Sequence, residues 1–351
     1  NVNGLISKIE TYTNNIALSE RTSCVVEPKL SLQWFVRMTK LAKPALDSVL
    51  NGEIKFHPKK YVNVYRNWME NIRDWNISRQ LYWGHRIPVY YLKQDNSKFV
   101  VARNNDEALE KFKLKFNISS ISSSDFFQDD DVLDTWFSSW IWPISVFDGV
   151  RNPDNKDISY YYPTSDIITG PDILFFWIAR MIMSGYYLKN QKPFKNVYFT
   201  GLVRDEKGRK MSKQLGNSPD PIELIESYGA DGVRIGLLFS APAGNDLLFD
   251  KKLCIQGKNF SNKIWNAYRL IDGFEVSSKK DQEIFEIAAI KWFKEEFNSK
   301  VIDLDNAFDN FKISEALMIT YKLVWDDFCS TFLEIVKPKN GDKISPKTEL
   351  E

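Results

Sequence analysis

The sequence predicts an α/β fold built on a parallel sheet and followed by an α-helical bundle, on three observations. The middle of the chain alternates between strand-like "ISYYYPTSDIIT", the apolar, helix-like "GPDILFFWIARMIMSGYYL" and strand-like "KNVYFTGLVRD". Strand, helix and strand at that spacing make a β-α-β unit, whose crossover requires parallel strands. From Lys251 onward strands vanish, and "IQGKNFSNKIWNAYRLI", "EIAAIKWFKEEFNSKVIDLDN" and "SEALMITYKLVWDDFCSTFLEIV" carry apolar residues at helical spacing behind polar or acidic starts. A length of 351 residues also exceeds one ordinary core, so two or more units are expected.

Taken in order, "CVVEP" reads as a strand, and "SLQWFVRMTKLAKPALDSVL" as a helix that Pro44 should bend or interrupt. "YVNVYRNWMENIRD" is an amphipathic helix, and "RQLYWGHRIPVYYLK" an extended segment broken by Gly84 and Pro88. "NNDEALEKFKLKF" is a short helix with Asn105 as cap and acids in its first turn. "NISSISSSD" is a serine-rich surface loop. The second strand of the β-α-β unit should end near Leu202 and turn at "DEKG". "PDPIELIESYGADGVRIGLLFSAPAGNDLLFD" gives two short helices and a loop.

A net charge of +1 excludes a basic nucleic-acid coat and an acidic tail, leaving local clusters to make any phosphate contact. Cys24, Cys254 and Cys329 lack a C-x-x-C spacing, which predicts buried thiols in a reducing, cytoplasmic setting. No apolar run reaches the ~18 residues of a membrane span. The chain opens on Asn1 in what reads as interior sequence, so it is expected to be a piece of a longer protein.

Three segments are candidates for chemistry. "TGLVRDEKGRKMSKQLGN" places Lys210 and Lys213 three positions apart behind a strand, with Gly208 and Gly216 free to shape the turn. Lysine is a compact charge on a flexible stem, suited to phosphate oxygens, although charge pattern alone favours a solvated turn. In "TGPDILFFWIARM", Pro171 suits a first helical position, and Asp172 either complements the helix dipole or binds an ammonium. "DDDVLDTWFSSWIWP" supplies Trp136, Trp140 and Trp142, dense enough to wall an apolar pocket or to fill a core. Asp129 to Asp131 read as an acidic surface turn. Neither His57 nor His85 has a metal-ligand neighbour in sequence.

Together these segments resemble the valine-specific branch of the class I aminoacyl-tRNA synthetases. "RKMSKQLGN" resembles that family's Lys-Met-Ser-Lys-Ser loop, and "DVLDTWFSSWIWP" and "TGPDILFFWIARMIM" its amino-acid pocket. "SRQLYWGHRIPVYY" and "ERTSCVVEPKLSLQWFVRM" resemble the return from its inserted editing domain. The resemblance implies the second half of a Rossmann-like nucleotide-binding fold, acting on valine, ATP with Mg2+, and the tRNA for valine, as a monomer with no protein-bound metal. It implies ATP contacts at Gly201, Val203, Lys210, Met211, Ser212 and Lys213, with the two lysines catalytic. Asp172 would hold the valine ammonium, with Trp136, Ile173 and Trp177 as pocket walls. Arg234, in "ESYGADGVRIGLLFSAP", is the phosphate candidate for tRNA, with an internal salt bridge as the plain alternative.

The implied boundaries are 1–60 for the end of the editing insertion, 61–217 for the nucleotide-binding part, 218–250 for a stem-contact region and 251–351 for the start of the anticodon-binding helices. Two departures stand out: Gln214 replaces the family's last serine, and the His-Ile-Gly-His signature that completes the ATP clamp is absent. The chain alone is therefore expected to be inactive or nearly so. A noncatalytic tRNA-binding protein derived from a synthetase, and an isoleucine enzyme, are the alternatives.

Overall fold

The β-α-β unit is present, and its strands are parallel as the crossover requires. The structure, a computed structural model, describes residues 4–350 except 7, 20, 21, 28, 206, 213, 214, 241–243, 340 and 341. The described chain divides into two compact units, each taken by itself.

The larger unit comprises 37–74, 83–86 and 133–351. Its sheet has three parallel strands, β1 (Lys55–His57), β2 (Thr164–Thr169) and β3 (Phe194–Phe199), with β3 central. Phe56, Ile167, Phe194, Val197 and Phe199 bury their side chains, Val197 and Phe199 on one face of β3 and Phe194 on the other. The crossover helix α1 (Ala179–Lys189) is buried from Ala179 through Gly185. A 3₁₀ turn (Pro171–Ile173) and a widened π-type turn (Leu174–Ile178) precede it.

Beyond β3, the strand β4 (Val203–Arg204) pairs in parallel with β5 (Leu247–Leu248), and helix α2 (Ala230–Ser240) lies between them in sequence. The helix α3 (Lys251–Asp272) starts on Asp250, whose carboxylate accepts from Lys252 N. The helix α4 (Ile284–Asp309) starts on a Glu283–Glu286 capping box. Ala267, Ala289, Cys329, Leu333 and Val336 form the core of this helical part.

The smaller unit comprises residues 1–36, 75–82 and 87–132. Its antiparallel sheet places Val89–Leu92 between Asp95–Val101 and Phe126–Gln128. Helix Asn105–Phe116 packs with it over Tyr90, Leu92, Val100, Phe112 and Phe126. The Asp129 carboxylate accepts from Tyr91 Oη and Trp34 Nε1, so that part of the acidic turn serves local hydrogen bonding.

Several local expectations are corrected. The Asn105–Phe116 helix is capped by Asn104, one residue earlier, whose side chain accepts from Glu107 N. Among its described residues "CVVEP" contributes only an isolated bridge, Leu18 to Val25. "SLQWFVRM" is not helical: Phe35–Val36 is a strand paired to Trp75–Asn76, and the helix begins at Thr39. Pro44 does not end that helix, because it lies on the exposed side where the carbonyl it leaves unpaired meets water. The first half of "ISYYYPTSDIIT" is a helix, Lys156–Tyr161, started by the Asn155 side chain accepting from Ile158 N. The second strand of the β-α-β unit, β3, ends at Phe199 rather than Leu202, since the chain turns at Gly201 into a separate sheet. Cys24 is exposed, unlike Cys254 and Cys329, because its segment packs against little.

Candidate active site

The carboxyl ends of parallel strands are where open α/β sheets bind ligands, and the candidate residues gather there. β2 ends at Thr169, and Gly170 leads into the turn that carries Asp172 and Ile173. β3 ends at Phe199, and the chain passes Gly201 into β4 and the basic loop.

The basic loop is a hairpin. Arg204 and Lys210 form an antiparallel bridge, Met211 N donates to Val203 O, and Asp205 N donates to Arg209 O. Gly208 takes φ +75° in its turn, a conformation L side chains rarely adopt. The Asp205 carboxylate accepts from Arg209 N (2.8 Å), Arg209 Nε (2.9 Å) and Asn217 Nδ2 (3.0 Å). These bonds to the charged form, that from Asn217 foremost, hold its carboxyl well below the usual carboxylate range. Ser212 N donates to Asn217 Oδ1, and Ser212 Oγ accepts from Leu215 N. Lys213, with Gln214, lies outside the described residues.

Lys210 Nζ is 3.2 Å from Asp172 Oδ2, with both side chains well exposed. The structure thus brings together the cation and the carboxylate that the sequence singled out, 38 positions apart. A cavity of about 370 Å³ borders the hairpin, walled by Asp205, Lys207, Arg209, Met211, Phe249 and Lys251 among others. Lys210 and Asp172 do not line it, so their ion pair and this cavity are separate features.

The tryptophans form one group. Trp136 and Trp177 have ring centroids 6.5 Å apart, and Trp142 lies 5.6 Å from Trp177. Trp177 Nε1 donates to Ser139 O, which fixes its ring. Trp136 is held by its backbone: Asp134 caps the short helix Thr135–Ser139 by accepting from Trp136 N. Asp134 is itself buried, 3.9 Å from Arg180 of α1, and Ser184 Oγ donates to Trp140 O. Ile173 is half-buried in the turn beside Asp172.

Gly201 is pressed against the 244–246 segment. A Cβ there would lie 1.7 Å from Asn245 O, so only glycine permits the approach. The 244–246 segment is tied in place: Gly244 N donates to Phe199 O, Lys60 Nζ bonds Gly244 O and Asn245 Oδ1, and Asp246 pairs with Arg204. Val203 follows in β4, paired with Leu247. Arg234 is exposed on α2, and among the described residues no hydrogen bond or ion pair links it to the other candidates.

Sequence reasoning missed Asp205, Asn217, Asp246 and Lys60. Asp205 and Asn217 flank the basic motif, and short polar side chains at both ends of a glycine-containing turn were the available signal. Nothing local signalled Lys60, whose partner lies 184 positions away.

Comparisons with known proteins give the family. Residues 1–250 match the family described as tRNA synthetases class I (I, L, M and V), and residues 291–349 the anticodon-binding domain of tRNA ligase. The chain is 57% identical to the valine–tRNA ligase of Parabacteroides distasonis over 98% of its own length and 39% of that protein's. It is 44% identical to that of Chlorobaculum tepidum over 97% of its own length and 38% of that protein's. It therefore spans about two fifths of the length of these curated relatives. Among solved structures, it resembles Mycobacterium tuberculosis methionyl-tRNA synthetase bound by methionyl-adenylate, with TM-score 0.65 and 18% identity, over 94% of this chain and 59% of that one. It also resembles an Agrobacterium radiobacter LeuRS in ternary complex with tRNA and LeuAMS, with TM-score 0.57 and 19% identity, over 75% of this chain and 36% of that one. At such identities these likenesses speak for the fold alone. The parallel sheet, the basic hairpin behind it and the match over residues 1–250 establish that the chain belongs to the class I tRNA synthetases of the isoleucine, leucine, methionine and valine group.

Proposed function

We propose that these residues form the basic-loop side of a site that activates valine with Mg2+-ATP to valyl-adenylate, for transfer to the tRNA for valine. The observation that carries this reading is the meeting of Lys210 and Asp172 at the carboxyl ends of β2 and β3. In the reaction the valine carboxylate attacks the α-phosphorus of ATP, and pyrophosphate leaves. Charge builds on the phosphate oxygens, and Lys210 with Lys213, Met211 and Ser212 supplies cations and hydrogen-bond donors there. Asp172 takes the α-ammonium by a charge-assisted bond. Trp136, Ile173 and Trp177 enclose the isopropyl group, and Gly201 and Val203 line the adenine side.

A closed apolar pocket excludes the extra methylene of isoleucine far better than the isosteric threonine; valine-specific synthetases are the standard illustration of that limit. Arg234 and the helices from α3 onward are the proposed tRNA contacts, with 1–60, 61–217, 218–250 and 251–351 as functional parts of a cytoplasmic, monomeric enzyme. No His-Ile-Gly-His stands anywhere in these 351 residues, so the chain alone holds one side of the ATP clamp.

The test is calorimetric titration of the chain with valyl and isoleucyl sulfamoyl-adenosine, beside valine-dependent ATP–pyrophosphate exchange. Tighter binding of the valyl compound, with exchange far below that of a full-length relative, is expected. Preference for the isoleucyl compound would overturn the valine assignment. Exchange near the full-length rate would overturn the one-sided clamp.

A further inference from the structure

The Asn217 carboxamide uses both of its polar atoms on the basic hairpin. Its Oδ1 accepts from Ser212 N at 2.9 Å, and its Nδ2 donates to Lys210 O at 3.3 Å and to Asp205 Oδ2 at 3.0 Å. Lys210 and Ser212 flank Met211, so one side chain grips the backbone on both sides of that residue. Asp205 in turn grips the turn of the hairpin, accepting from the backbone N–H groups of Lys207 and Arg209. A lysine side chain has four rotatable bonds, so where its ammonium can go depends on where its Cα is held.

We infer that Asn217 is a positioning residue for the phosphate contact of Lys210, acting through the loop backbone and through Asp205. The inference rests on the proposed reading of Lys210 as a phosphate ligand. It requires an amide at this position and not merely a polar group. The site needs an acceptor facing Ser212 N and a donor facing both a carbonyl and a carboxylate, and among the isosteres of asparagine only a protonated acid comes close.

That requirement gives a signature that ordinary loss of stability does not. In Asn217→Asp the ionised carboxylate keeps the bond from Ser212 N but presents oxygen to the Lys210 carbonyl and the Asp205 carboxylate. Protonation restores one O–H donor. The charged groups facing the position are Asp205 and Arg209 on the hairpin, Lys210 beside it, and Lys207 and Lys251 around the cavity that Asn217 also lines. Asp205, at hydrogen-bonding distance, is the nearest, and like charge raises the pKa of the introduced carboxyl.

The experiment measures tripolyphosphate affinity by calorimetry from pH 5 to pH 8 for the wild-type chain, Asn217→Asp, Asn217→Ala and Lys210→Met, with a melting temperature for each. Every affinity is divided by the wild-type value at the same pH, which cancels protonation of the probe. Lys210→Met weakens binding at every pH. Asn217→Ala is weaker by a constant factor, and Asn217→Asp is about tenfold weaker at pH 8 but returns toward wild type at pH 5, about the effect of one charge-assisted bond. Wild-type affinity in both Asn217 variants, or an Asn217→Asp affinity ratio that ignores pH beside a lowered melting temperature, overturns the positioning role. A Lys210→Met chain that binds as wild type overturns the phosphate reading itself, and the inference with it.

Discussion

Lys210 Nζ and Asp172 Oδ2 lie 3.2 Å apart, so two side chains proposed for opposite substrates neutralise each other. An exposed pair of this kind is worth about 0–1 kcal/mol, little enough for an incoming ammonium and an incoming phosphate to exchange with it. Asp172→Asn should therefore change stability by less than about 1 kcal/mol. The same variant should weaken valyl sulfamoyl-adenosine binding by about tenfold or more, since it removes a charge-assisted bond. Calorimetry and thermal melting read both; an unchanged affinity would remove Asp172 from ammonium recognition.

Gly201→Ala tests the wall behind the loop. Its Cβ would meet Asn245 O and the Asn245 carbonyl carbon, backbone atoms that cannot swing aside. Overpacking of this kind costs about 1–3 kcal/mol, and denaturant titration should find that loss. ATP affinity should fall as well, because Asp246, which pairs with Arg204 of the hairpin, moves with Asn245.

Trp177→Ala tests the pocket. Loss of the ring and of its bond to Ser139 O should cost about 3 kcal/mol of stability, the lower end for large aromatic truncations because the ring is only half-buried. The preference for valyl over isoleucyl sulfamoyl-adenosine should shrink. One methylene in an apolar pocket is worth about 1–3 kcal/mol, a range for which synthetase pockets are the reference case. A preference that survives intact would assign selectivity to other walls.

His57 supplies a pH dependence. Burial, ahead of all other causes, lowers its pKa, although the bond with Asn196 works the other way. It stacks on Phe311 with ring centroids 3.9 Å apart. The unfolded chain thus binds a proton more readily than the folded one. Stability is fully present above the unfolded pKa of about 6.5 and is lost as pH falls below it toward the depressed folded value. The melting temperature should drop between pH 7 and pH 5, and His57→Phe should flatten that drop.

What was legible in the sequence was whatever repeats locally. The β-α-β alternation, the apolar α1 and the late helices carry their own periodicity, and the Gly170-Pro171-Asp172 start carries its own turn chemistry. The pairing of Lys210 with Asp172 was not legible, because no periodic pattern reports which loops meet above a sheet. Asn104 in place of Asn105 shows the usual one-residue ambiguity where two capable caps adjoin. The helix inside "ISYYYPTSDIIT" shows a cap, Asn155, overruling the strand preference of three consecutive tyrosines. Gly201 is expected from the sequence only as an ATP contact, and that its lack of a side chain is a steric necessity becomes visible only once Asn245 O stands beside it.

The tie from Lys60 to Gly244 and Asn245 spans 184 positions, and it bears on the order of assembly. A ribosome releases chain from the amino end, so Lys60 and the strands of the sheet emerge while residues 244–246 do not yet exist. Until those residues appear, Gly201 has no neighbour to press against and Arg204 no Asp246. The hairpin can reach its final form only after the sheet beneath it is already made, which places its completion later than that of the scaffold as the chain is born.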